Sequence, residues 1–392
     1  MVFIVGVTIA ALSGPNGILT NATKAKEDNA KAQVIEEARV DILAKQTEKM
    51  GESPTSEELE QILTPKYGTL SNEENILDRT LTTKDGYSIK IRDIWNGTLS
   101  GQKAEVTPVY AYLCDTDGNG AGETLVLSST ETINGYTIIK NYGDNEAYQT
   151  DENNAEDSYG NIYYYPIWKN ETTLITNVII YDKIVPTITD RWFNNCSNLE
   201  KIENIINLDT SNVKTMICMF NGCKKLTNLN LSSFNTSSVI DFTSMFNSCS
   251  ALTNLNISNF DTKNASKINA MFYNCSSLTN LNLTSFDTTN VTSMPTMFYN
   301  CSSLTSLDLS SFNTDNVTDI TMLFYNCKNL NTIIVNSGWN TEKATGSYVF
   351  NNCISLIGGA GTKYDASHAD KEYAHIDEGE SNPGYFTLKI WC

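Results

Sequence analysis

A five-residue box recurs along this chain, and its fixed spacing restricts the fold more than any other feature. It reads WFNNC ending at Cys196, MFNGC at Cys223, MFNSC at Cys249, MFYNC at Cys275 and Cys301, LFYNC at Cys327 and VFNNC at Cys353. One interval is 27 residues and the other five are 26. A period of this length marks stacked units, each burying its apolar set against its neighbours.

Each unit divides into three parts. Leu252, Leu255 and Ile257, or Leu278, Leu281 and Leu283, follow Leu-x-x-Leu-x-Leu, a short strand whose alternate residues point inward. A turn follows, with Phe234, Phe260, Phe286 and Phe312 as inward plugs and Asp261-Thr262 or Asn235-Thr236 as turn formers. The third part has helical spacing: Val291, Met294, Met297, Phe298, Cys301 and Leu304 recur at steps of three and four. The expected fold class is therefore an α/β solenoid, a leucine-rich-repeat-like array of seven 26-residue coils, preceded by an N-terminal helix and a small β-rich domain. The WFNNC unit is the expected start and Gly358-Gly359-Ala360-Gly361 the expected stop.

Outside the repeats the patterning changes. Residues 1–22 read as a truncated apolar anchor segment, whose apolar stretch from Met1 to Leu12, about a dozen residues, is short of the roughly 20 that cross a bilayer. Residues 23–63 read as an amphipathic helical region, with Ala30, Val34, Ala38 and Ile42 at four-residue steps and a second helix with Leu59, Ile62 and Leu63 as its buried face. Residues 64–190 read as a β-rich domain of short runs: Tyr87 to Ile94, Val106 to Leu113, Thr124 to Leu127, Tyr136 to Lys140, Ile162 to Trp168 and Leu174 to Tyr181. Asp85-Gly86, Asn96-Gly97 and Asn134-Gly135 punctuate them, and Asp144 to Gly160 reads as an acidic loop. The array occupies 191–357 and a C-terminal cap 358–392.

The formal net charge is -18, which excludes nucleic acid and leaves the N-terminal segment as the expected route to a membrane. From Cys196 to Ile357 there are ten carboxylates and eight lysines, so the repeats are nearly neutral and the acidity lies in the flanks.

The ladder of Cys196, Cys223, Cys249, Cys275, Cys301, Cys327 and Cys353 reads as buried free thiols acting as small hydrophobes. A disulfide ladder would leave one thiol over, and ligands on one line make no tetrahedral metal cage. Cys114, Cys218 and Cys392 have no evident mates. Asp115, Asp117 and Asn119 open a loop like that of a calcium site, but its twelfth position is Val126, so a hairpin turn is the competing reading. No other cofactor is expected. His368 and His375 sit in a polar segment, and neither a nucleophile triad nor a phosphate loop is present, so no enzyme activity is expected. The candidate ligand face is the outward strand row of Asn254, Asn256, Asn280, Asn282, Ser306 and Asp308. Tyr273, Tyr299 and Tyr325 form a second stripe.

The units, of which LTSLDLSSFNTDNVTDITMLFYNC is one, resemble the BspA-like leucine-rich repeat surface proteins of bacteria over Ile184 to about Phe386. That resemblance implies an extracellular, cell-attached protein that adheres to protein or glycan on host, matrix or neighbouring cells. GVTIAALSGPNGILTNATKAKEDNAKAQ is similar to the start of type IV pilin-like proteins of Gram-positive bacteria, although the prepilin processing motif and half of the apolar segment are missing. The expectation there is a reading frame that starts upstream of Met1. An extracellular, cell-surface or pilus location in a Gram-positive bacterium follows from the two together. The competing function is a minor pilin or pseudopilin-like subunit with pilin-like assembly partners, in which the repeats are a spacer.

Overall fold

The computed structural model describes residues 30–45 (32, 36 and 43 excepted), 54–94 (74, 75, 77 and 78 excepted), 106–144 and 165–390. The apolar segment 1–22, the Asn96-Gly97 turn, the expected acidic loop beyond Asp144 and Cys392 lie outside the described residues. The chain divides into two compact units, 1–103 and 104–392. That division falls inside the stretch 64–190 read as one β-rich domain.

In the first unit, residues 30–45 are helical wherever they are described. Helix α1 (Ser56–Tyr67) starts on a capping box: the Thr55 side chain accepts from Glu58 N, and the Glu58 carboxylate accepts from Thr55 N. Ala38 and Ile42 bury against Leu59, Leu63 and Tyr67 of α1 and against Leu81 and Ile89. The latter two come from the antiparallel sheet β1 (Gly68–Leu70), β2 (Thr80–Thr83) and β3 (Ser88–Lys90). Gly86, at φ 86°, makes the β2–β3 turn that Asp85-Gly86 signals. The run from Tyr87 to Ile94 is a strand only to Lys90; Ile91–Ile94 form one helical turn.

The second unit opens with β4 (Tyr110–Asp115), β5 (Thr124–Ser128) and β6 (Thr137–Asp144), antiparallel in the order β6-β4-β5. The sheet then changes sense: β7 (Asn177–Ile180) pairs parallel with β5, and β8 (Lys201–Glu203) parallel with β7. Trp168, expected in a strand, lies in a turn. One apolar cluster runs from Val109 to Phe386 and is continuous across 190/191, so the β4–β5 hairpin and the repeats share a core.

The expected α/β solenoid is corrected by the structure. Among the described residues of 191–357 there is no α-helix, only a 3-10 turn at Ile205–Asn207. The leucine strands do not form one sheet either. β9 (Asn228–Asn230) pairs with β10 (Asn254–Asn256), and β11 (Ser306–Leu309) pairs with β12 (Thr332–Val335), but residues 280–282 form no strand and pair with neither neighbour. The result is a set of small sheets joined by turns.

The reason lies in the box. Two residues per repeat, four apart, adopt left-handed backbone: Ala270 (φ 53°) and Asn274 (φ 58°), Thr296 (φ 55°) and Asn300 (φ 56°), Met322 (φ 55°) and Asn326 (φ 63°). A helix cannot contain them, because each left-handed L-residue costs roughly 1–2 kcal/mol. Two successive tight turns replace it, closed by Tyr273 N to Ala270 O at 3.1 Å and Cys275 N to Phe272 O at 3.1 Å. These turns put Met271, Phe272 and Cys275 on the inner side, and so mimic a helical apolar stripe. The strain is offset by a ladder between repeats: Ala270 N donates to Pro295 O at 3.0 Å, Phe272 N to Met297 O at 3.0 Å and Asn274 N to Tyr299 O at 2.7 Å. The same three donors recur at all six junctions from Cys196 to Cys353, so this turn ladder is the continuous spine of the repeats.

Both ends of the ladder are closed. The Trp168 indole N–H donates to Trp192 O at 2.7 Å. At the other end Phe350 N donates to Ala369 O at 2.8 Å, and β13 (Phe386–Leu388) pairs parallel with β12.

Candidate functional site

Inside each repeat the polar side chains divide into those that join neighbouring units and those that face out. Thr210, Thr236, Thr262, Thr288 and Thr314 are at most 2% exposed. The Thr262 hydroxyl accepts from Asp287 N at 2.9 Å and donates to Asp287 O at 2.9 Å, and Thr236 and Thr288 repeat the clasp one unit before and one unit after. In the sequence this Asx-Thr pair reads as a turn alone. The missed signal was that threonine holds one position in successive units, where a turn by itself would accept serine.

The seven ladder cysteines are free and fully buried. From Cys223 onward each Sγ donates to the carbonyl of the phenylalanine in the preceding box, at 2.9 to 3.2 Å. Burial pushes these thiols up, to about 12 at Cys196, Cys249 and Cys327, which keeps them protonated and unreactive near neutral pH. Cys114 is also buried and free, and Cys218 is free and half-buried.

Tyr273, Tyr299 and Tyr325 are half-buried and stack on one another, with centroids 4.4 Å and 4.7 Å apart and planes within 9°. Both faces of Tyr299, and one face each of Tyr273 and Tyr325, are occupied by the neighbouring rings. Along the row a partner meets mainly edges and hydroxyls.

On the strand side, Asn254, Asn256, Asn280, Asn282 and Ser306 are exposed, whereas Asp308 is half-buried. Asn256 Oδ1 accepts from Ser258 N at 3.2 Å, and Asn282 Oδ1 from Thr284 N at 3.1 Å, so each amide oxygen closes its own turn while its NH2 faces solvent. Asp308 is taken up by Lys389, whose Nζ lies 2.5 Å from Oδ2.

The β4–β5 loop brings together a group that counting along the sequence missed. Asp115, Asp117 and Glu123 each place a carboxylate oxygen within 4.8 Å of the others, while Asn119 turns its amide onto Asp117 Oδ2 at 2.8 Å. The third acid is at the ninth loop position, not the twelfth. Asp115 accepts from Gly118 N at 2.7 Å and Gly120 N at 2.8 Å, which holds its carboxyl below the usual range against a smaller effect of burial. Oxygen ligands in this arrangement suit a hard divalent cation. Calcium is expected to raise the melting temperature of the full chain, EDTA to reverse the rise, and Glu123→Gln to abolish it. An unchanged melting temperature in millimolar calcium removes the metal from the loop.

His368 stacks on Tyr373 at 4.5 Å and His375 Nδ1 contacts Ile376 O at 2.8 Å, so the two histidines have separate structural partners. Among the described residues, no helix is long and apolar enough to cross a membrane.

A family model described as "Mycoplasma protein of unknown function, DUF285" matches residues 187–305 and again 256–358, together under half of the chain. No curated protein matches. The match supports a BspA-like repeat surface protein over these residues. It does not extend to 6–33, and the pilin-like resemblance of that segment has no support from it.

Proposed function

We propose that this chain is an adhesin of the cell surface whose strand-side Asn/Thr face contacts protein or glycan outside the cell. One observation supports this reading above the others. The apolar side chains of the repeats are committed to a continuous core, yet successive units keep the same exposed asparagines, with amide groups in excess of what their own turns use. The DUF285 match supports the surface-repeat part of the reading and leaves the ligand open.

Beads coated with the full chain are expected to adhere to cell layers or matrix-coated plates better than albumin-coated beads. Asn256→Lys with Asn282→Lys should reduce that adherence severalfold, because both positions are exposed and their replacement leaves the core intact. Equal adherence of the two kinds of bead would refute adhesion and favour the competing reading, a minor pilin-like subunit. That reading instead expects the chain in sheared surface filaments.

A further inference from the structure

We infer that the partner of the strand face is an uncharged polysaccharide, an inference that rests on the adhesion reading above. Three consecutive units carry the same tetrapeptide, Thr-Asn-Leu-Asn, at 227–230, 253–256 and 279–282. In each, the threonine and both asparagines are exposed and only the leucine turns inward. The register places Asn254 beside Asn228 and Asn256 beside Asn230, so the amides form two columns along the direction of stacking.

Charge selects the occupant. The chain carries -18, but these three tetrapeptides contain no charged residue, and Asp308, where the next unit departs from the pattern, is neutralised by Lys389 at 2.5 Å. An anionic polymer would be repelled by the rest of the molecule, and a cationic one would find no carboxylate within these three tetrapeptides. A protein partner normally docks on aromatic or arginine anchors, and the face has none. What it offers is neutral amides and hydroxyls, with donors in excess because the Asn230, Asn256 and Asn282 amide oxygens close their own turns, repeated by translation at about the 4.8 Å spacing of paired strands. An extended chain of sugar rings presents hydroxyls and ring oxygens in the same neutral, translational pattern. Residues 280–282, outside either sheet, add backbone polar groups to the same strip. Several weak contacts along one polymer then sum.

Native affinity electrophoresis of the full chain tests this, with gels containing α-mannan, hydroxyethylcellulose or, as the acidic control, alginate. Retardation relative to albumin is expected in at least one neutral gel and not in alginate. Asn254→Ala with Asn280→Ala should abolish the retardation at an unchanged melting temperature. Unaltered retardation of that variant, or retardation in alginate alone, overturns the inference. If no neutral polymer slows the chain while coated beads still adhere to cells, the polysaccharide is refuted and adhesion stands. If the beads fail as well, both readings fall.

Discussion

Phe298→Ala is expected to destabilise the second unit by about 3–5 kcal/mol, the range for removing a fully buried aromatic side chain. Phe298 is fully buried between Phe272 at 5.8 Å and Phe324 at 5.7 Å, in a file of box phenylalanines that runs from Phe193 to Phe350 with neighbouring centroids 5.4 to 5.8 Å apart. Its carbonyl also accepts the Cys327 thiol at 3.0 Å, and its N–H donates to Leu323 O at 3.0 Å. Truncation leaves a cavity where two units meet. Because each unit is stabilised chiefly by its neighbours, loss of one central contact weakens the array on both sides. Urea unfolding followed by circular dichroism should show a large fall in midpoint. Tyr299→Phe, which preserves the neighbouring ring stack, should barely move it. A fall of under about 1 kcal/mol for Phe298→Ala would mean that the file is not what holds the repeats together.

The period itself was legible because it depends on burial alone. Every ladder cysteine, every box phenylalanine and each turn plug from Phe234 to Phe312 is buried, as their regular spacing implies. The conformation of the box was not legible from that spacing. Steps of three and four arise from a helix, and they arise equally from two tight turns that return the chain to the same side. Half of the corrective signal was present: Asn195, Gly222, Ser248, Asn274, Asn300, Asn326 and Asn352 are the types that tolerate left-handed backbone or turns, and each precedes a box cysteine. The other left-handed position holds Arg191, Cys218, Ser244, Ala270, Thr296, Met322 and Tyr348, which share no local preference. There the conformation is imposed by the hydrogen bonds to the next repeat, which appear only when the units are stacked.

The candidate sites divide in the same way. Exposure of Asn254, Asn256, Asn280 and Asn282 follows from strand alternation, which holds even at 280–282 where no strand pairing forms. The meeting of Glu123 with Asp115 and Asp117 follows from the hairpin, since β4 and β5 pair with Cys114 opposite Thr124 and so close the loop between them. Counting to a twelfth position assumed a helix-flanked loop in place of a hairpin.

At the C-terminal end, Asp377→Asn is expected to cost about 3 kcal/mol at neutral pH, through buried donors left without acceptors. Asp377 is 6% exposed and accepts from Ala360 N at 2.8 Å, Thr362 N at 3.0 Å, Thr362 Oγ1 at 2.7 Å and Gly379 N at 3.0 Å. The cradle closes so tightly that a Cβ on Gly358 would lie 2.3 Å from Gly384 O and 2.5 Å from Asp377 Oδ2, which is why the Gly358-Gly359 pair stands where the repeat pattern stops. Burial by itself would raise this carboxyl. The donors outweigh it and bring the pKa from 3.8 to about 2. A carboxyl depressed on folding contributes its stability above the unfolded value and loses it as pH falls through the folded one. The contribution is therefore complete above about pH 5, and about 2 kcal/mol of it has gone by pH 2. The asparagine variant has no proton to gain. Its deficit against the parent chain, measured by urea unfolding at each pH, should narrow by about that amount between pH 5 and pH 2, although other carboxylates titrate in both proteins. A deficit that stays constant across this window would show that the cradle acts through shape alone and not through the charge it holds.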